Sequence, residues 1–129
     1  MSNVVAAWHR LVETKDLSLL DALVADDAVF HSPVVFKPQE GKALTIRYLK
    51  AAIAVLGNDT FRYVADWSGK NSAVLEFRLD IDGIDVDGAD FITWDEHDRI
   101  VDFKVMIRPL KAINVVLQKM GEELGKAPR

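Results

Sequence analysis

Asp90 is the residue whose placement in the sequence most calls for chemistry. In "IDVDGADFITW", residues 84–94, one parity reads Ile84, Val86, Gly88, Asp90, Ile92 and Trp94. The other carries Asp85, Asp87, Ala89, Phe91 and Thr93. Successive strand side chains point to opposite faces, so Asp90 falls on the apolar stripe. An unpaired carboxylate there costs several kcal/mol, and desolvation raises its pKa. A raised carboxyl in an apolar cleft is a candidate acid or base. Two structural readings stand beside this one. A bulge at Gly88 would turn Asp90 outward, and Arg108 or a backbone N–H could hold it as a buried partner. The second candidate lies in "DDAVFHSPVVF", residues 26–36, where His31 and Ser32 precede Pro33. His31 is read as a base or polar contact at a pocket mouth, or as an ordinary histidine at a strand end. Strand parity next to a proline leaves its facing open.

Aromatic residues supply candidate pocket walls. Trp8 sits mid-stripe on a first helix and reads as a core aromatic, or as cavity wall with its indole N–H pointing at a ligand. Trp94 and Phe103 lie on apolar strand parities, and Tyr48 flanks the apolar face of a third helix, where it reads as a surface-edge residue or as a hydroxyl reaching the cavity. Glu76 and Arg78 fall on a polar parity and read as a solvated face or a dimer contact. Arg108, just before Pro109, reads as a surface ion pair. His9 and His97 carry little signal. The aspartates of "DIDGIDVDGAD" do not keep calcium-loop spacing, because positions 5 and 6 counted from Asp80 are Ile84 and Asp85. No metal site is expected. Nucleotide-binding, zinc-peptidase and serine-hydrolase motifs do not occur, and without cysteine there is no thiolate nucleophile.

The elements that must position these residues follow from hydrophobic period. Val4, Val5, Trp8, Leu11 and Val12 have helical spacing. Leu17, Leu20, Leu23 and Val24 mark a second short helix that stops at Asp26–Asp27. "AVFHSP" is a short strand and "VVFKPQE" a loop. Ile46, Leu49, Ile53 and Leu56 line a third helix ending at Gly57. From Phe61 the period becomes two. Phe61, Tyr63, Ala65 and Trp67 form one stripe, Leu75, Phe77, Leu79 and Ile81 the next, and Val101, Phe103, Val105 and Ile107 the last. Asp82–Gly83 is a hairpin turn. A final helix carries Ile113, Val116, Leu117, Met120 and Leu124. Helices, then an antiparallel meander, then a helix make an α+β chain with helices on one face of a curved sheet. The chain has 129 residues, net charge −4 and scattered basic residues. That suits one domain over residues 1–129, with no nucleic acid or membrane as partner. No secretory leader or membrane span is read, so a cytoplasmic protein is expected.

This order of elements resembles the NTF2-like superfamily, in its SnoaL-like and ketosteroid-isomerase-like branch. The resemblance rests on "KDLSLLDALVADDAVFHSP" and "GADFITWDEHDRIVDFKVMIRP". It implies a cone-shaped α+β fold around an apolar pocket, and a homodimer through the back of the sheet. Val74, Phe91 and Met106 on outer parities agree with such a dimer. The resemblance also implies an acid/base role for Asp90 without any cofactor. It would place a base at Ser32 and a tyrosine at Trp8, so neither of those family residues is kept, and His31 is the candidate substitute base. Two functions are expected from this. One is an enzyme acting on a small apolar carbonyl compound, with Asp90 and His31 catalytic and Trp8, Ser32, Tyr48, Trp94 and Phe103 around the ligand. The other is a non-catalytic binding or association module.

Overall fold

The change of period after Gly57 divides a mainly helical half from a sheet-forming half. In the computed structural model, which describes residues 3–125, the two halves close on one core. Helix α1 spans Val4–Thr14 and buries Val4, Trp8 and Leu11. A 3-10 turn at Leu17–Leu19 leads into the short α2, Leu20–Leu23. Strand β1 runs Val24–His31 and β2 is Gln39–Glu40. Helix α3 is Lys42–Leu56. The meander is β3, Arg62–Ser68; β4, Ser72–Ile81; β5, Ile84–Trp94; and β6, Ile100–Arg108. Helix α4, Leu110–Leu124, closes the chain. The sheet order is β2-β1-β6-β5-β4-β3. Strand β1 lies parallel to β6, and every other pairing is antiparallel. Phe30, Phe77 and Phe103 are the largest fully buried side chains, so the core lies between helices and sheet.

The α+β reading holds, and the differences lie at bulges and ends. The second helix ends at Leu23 and does not reach Asp26–Asp27, because Val24 already pairs with Ile100. A register shift between Val24 and Val29 then leaves Asp26 and Asp27 exposed within β1. The expected loop at 34–40 ends in a strand, since Phe30 and Val29 pair with Gln39 and Glu40. In β3 a bulge skips Val64, so Ala65 stands opposite Glu76 and Trp67 opposite Val74. Trp67 therefore leaves the inner stripe and is 59% exposed. A bulge at Val101 seats Ile100 in the core in its place. On α4 the buried stripe is Ala112, Val116 and Met120, and Leu117 faces outward. The turn at Asp82–Gly83 has positive φ at both residues, as a type I′ hairpin requires. No helix among the described residues is long and apolar enough to cross a membrane.

Candidate functional site

Register decides where Asp90 points. Pairing of β4 with β5 runs without a break from Ser72↔Thr93 to Ile81↔Ile84, so Gly88 makes no bulge. Asp90 stands opposite Leu75 on one side and Val105 on the other, both inner-face residues. It is 5% exposed. Arg108 is not its partner, since that guanidinium pairs with Asp87 at 3.2 Å on the outer face. The partner is Tyr63, whose hydroxyl donates to Asp90 Oδ2 at 2.6 Å. Trp8 Nε1–H in turn donates to the Tyr63 hydroxyl oxygen at 2.8 Å. Three residues far apart in sequence form one directed chain from α1 through β3 to β5.

Tyr63 is not singled out by its place in the sequence, although a signal is present there. A buried carboxyl needs a donor, and Tyr63 is the residue with a hydroxyl on the inner stripe of β3. Its ring packs edge-on against Phe61 and His9, with centroids 5.1 Å and 5.0 Å away. It pairs with Phe77, which pairs with Gly88. A Cβ at Gly88 would lie 2.3 Å from Phe77 Cζ and 2.9 Å from the Met106 carbonyl oxygen. Only glycine leaves the Phe77 ring that space, and the ring beside it carries the hydroxyl that reaches Asp90.

The electrostatics follow from burial. Loss of water pushes the Asp90 carboxyl up to about 7, and the Tyr63 hydrogen bond partly opposes that rise. Burial, and then the Asp90 charge and hydrogen bond, hold the Tyr63 phenol well above its usual value, against a smaller lowering by Trp8. Tyr63 thus stays a donor while Asp90 can be found in either form near neutral pH.

Asp90 faces a cavity of about 30 Å³ lined by Trp8, Leu49, Ile53, Phe61, Tyr63, Phe103 and other apolar residues. That is room for one or two waters, or for the end of a small ligand. Among the described residues, Asp90 is the one acidic residue of this lining. A cleft of about 610 Å³ lies outside and shares Val12, Gly57, Phe61 and Tyr63 with it. His9, Glu13, Lys15, Asn58, Asp59 and Arg62 complete the cleft.

The other expected residues divide. Trp8 and Phe103 line the cavity with ring centroids 4.8 Å apart. His31 does not join them. Phe30 takes the inward position on β1, and His31 lies on the other face with Nε2 at 2.9 Å from Asp102 Oδ1. Strand alternation at β1 enforces this, because Phe30 enters the core beside Phe103, its register partner. Ser32 Oγ accepts the Val34 N–H in a local turn. Tyr48 packs on Phe30 with centroids 5.7 Å apart, and Trp94 is buried at the far end of β5; neither lines the cavity. Among the described residues no cluster of three or more histidine or acidic side chains could hold a metal ion. Two aspartates of this stretch form ion pairs, Asp82 with Lys119 at 3.2 Å and Asp87 with Arg108.

Comparison with known proteins agrees with this architecture. A model of the SnoaL-like domain matches residues 5–103. No curated protein sequence matches the chain. A steroid delta-isomerase from Pseudomonas aeruginosa is 35% identical, with TM-score 0.89, over 96% of this chain and 93% of that one. A protein from Silicibacter pomeroyi described as uncharacterized, with a cystatin-like fold, is 30% identical, with TM-score 0.86, over 95% and 85%. A SnoaL-like polyketide cyclase from Jannaschia, so named provisionally, is 13% identical, with TM-score 0.66 over 88% and 91%, and shows the shared fold alone. With a family model spanning most of its length and this cone of helices and curved sheet, the chain belongs to the SnoaL-like family of NTF2-like proteins.

Proposed function

We propose that this protein is an acid–base enzyme acting on a small, largely apolar carbonyl compound, with Asp90 as the acid. One observation carries the reading: among the described residues, the single carboxyl of the inner lining faces a cavity that is otherwise apolar apart from the Tyr63 hydroxyl and the Trp8 N–H. In its protonated form Asp90 donates to a carbonyl oxygen. Loss of a proton from the neighbouring carbon then places charge on that oxygen, where the donor already stands. Such a proton shift is redox-neutral and needs no electron carrier. The cavity of about 30 Å³ takes only the reacting end of a ligand, and the cleft outside takes the rest. The 35% identity to a steroid delta-isomerase supports an isomerisation, as an analogy of family and not of site.

The test is deuterium uptake by cyclohexanone in D2O, followed by proton NMR. The wild type is expected to exchange the α-protons roughly 100-fold or more faster than Asp90→Asn. Equal rates in the two proteins, or a wild type no faster than buffer, overturn the reading. The second reading, a non-catalytic ligand-binding module, is favoured by one observation. The hydroxyl of Ser32, where the family resemblance expects a base, is held by Val34 N–H. It predicts saturable ketone binding with no exchange.

The partner we propose is a second copy of the chain on the outer face of the sheet. Trp67 and Met106, 59% and 51% exposed, lie there in a shallow groove with Phe91, bordered by Glu76, Asp87 and Arg108. Charges of both signs allow a two-fold copy to pair acid with base.

A further inference from the structure

The cavity at Asp90 is smaller than any ring it would have to admit. Its volume is about 30 Å³, whereas an apolar cavity that holds a six-membered ring has about 150 Å³. A ketone oxygen therefore reaches Asp90 only if the carbons behind it take space that a side chain now fills. The cleft of about 610 Å³ next to it has room for what they displace.

Among the described residues, Val12, Gly57, Phe61 and Tyr63 line both spaces and form the boundary between them. Val12 is a branched side chain on α1, and the helix restricts its rotation. Gly57 has no side chain, and its N–H donates to the Ile53 carbonyl at 2.8 Å. The Tyr63 hydroxyl is fixed between Trp8 and Asp90. Phe61 differs from these. It is half-buried, it precedes β3, and a phenyl group has no hydrogen bond to break. Its ring stacks on Phe77 with centroids 5.2 Å apart and meets Tyr63 edge-on at 5.1 Å. The backbone before it is fastened to β4. Asn58 Nδ2 donates to the Asp80 carbonyl at 2.7 Å, the Asp80 N–H donates to Thr60 Oγ1 at 2.9 Å, and the Phe61 N–H donates to the Asn58 carbonyl at 3.1 Å. With the chain pinned and the ring held by contact alone, the motion left is rotation of the ring between side-chain rotamers.

We propose that Phe61 is the gate to Asp90: its ring fills the place of a ligand's first ring in the free protein and swings into the cleft when a ketone enters. The inference rests on the reading of this cavity as the ligand site, and it does not need Asp90 to be catalytic. Entry exchanges the contacts of one ring for those of another. The ligand's ring takes the place beside Phe77 and Tyr63, and the Phe61 ring covers it from the cleft. Phe61 thereby sets the size of ketone that reaches the carboxyl.

The probe is cyclohexanone, titrated into isotope-labelled protein while NMR follows the indole N–H resonance of Trp8, a residue of the cavity wall. Phe61→Ala is expected to half-saturate at about tenfold lower ketone concentration than wild type, the factor that corresponds to ring contacts no longer broken on entry. Phe61→Leu, which keeps an apolar side chain against Phe77, should fall between the two and tests the idea if the alanine variant does not fold. Val105→Ala is the control, because Val105 lines the cavity and not the cleft. Its half-saturation should stay within about twofold of wild type. Thermal melting checks that each variant is folded. If folded Phe61 variants bind as wild type does, or if Val105→Ala gains as much as they do, the ring is not the gate. A Trp8 resonance that no ketone concentration shifts in any of these proteins overturns the gate together with the ligand reading of the cavity. If the expected gain is seen while Asp90→Asn exchanges the α-protons as fast as wild type, the gate stands and the acid–base reading falls.

Discussion

The carboxyl of Asp90 links folding to pH, with a definite sign. Its pKa rises from an ordinary 3.8 to about 7 in the folded chain. Below about pH 4 both folded and unfolded forms hold the proton, and burial of Asp90 carries no ionic cost. As pH rises the unfolded chain releases its proton first. Stability is lost through that interval until the folded carboxyl ionises near pH 7. A difference of this size corresponds to roughly 4 kcal/mol. Asparagine cannot titrate, yet its carbonyl oxygen still accepts from Tyr63. Urea unfolding at several pH values should therefore show wild type losing stability relative to Asp90→Asn between about pH 4 and pH 8. Parallel curves would mean that Asp90 ionises freely in the folded chain. The same titration bears on catalysis. With Asp90 as acid, ketone exchange should persist below about pH 7 and fall as the carboxyl ionises.

At the scale of the elements, β5 aims Asp90 and β3 supplies its donor. Both depend on where bulges fall. Strand β5 keeps its register through Gly88, and β3 loses one step between Tyr63 and Ala65. Gly88→Ala would place a Cβ 2.3 Å from a core phenyl and 2.9 Å from a backbone oxygen. Overpacking of that kind costs about 1–3 kcal/mol. The variant should lose stability by this amount in urea, and displacement of Phe77 should weaken the neighbouring Tyr63–Asp90 contact. Unchanged stability would show that the strand can shift to make room. The alternation of β4 and β5 was legible in the residues, and so was the helical stripe of α1. The bulges were not. Nothing in "RYVADWS" marks Val64 as the skipped residue, because pairing with β4 decides it. Trp67 is turned outward for that reason.

For the whole molecule, the curved sheet separates two chemistries. Its inner face holds the phenyl rings, the cavity and Asp90. Its outer face holds His31 with Asp102, and Asp87 with Arg108. Exposed Trp67 and Met106 lie on that outer face too. An exposed apolar patch rimmed by charges is a place for association. If a second copy covers it, Met106→Glu together with Trp67→Lys should convert a dimer to a monomer in light scattering, with the melting of the fold retained. A wild type that is monomeric at all concentrations would remove the proposed partner.

Periodicity in the chain carried the α+β class and the inward aspect of Asp90, because side-chain direction in a strand depends on the nearest neighbours in sequence. Short motifs carried the family resemblance, now matched by the domain model over residues 5–103. The company Asp90 keeps was decided elsewhere. Tyr63 and Trp8 are 27 and 82 positions away from it, and only closure of α1 over β3 and β5 brings the hydroxyl and the indole N–H to the carboxyl. His31 was decided in the same way. Packing of Phe30 beside Phe103 filled the core and left the next residue on the far side of the sheet. Hydrogen bonds and core packing at long range select one partner among several of the right type, and that selection needs the assembled sheet.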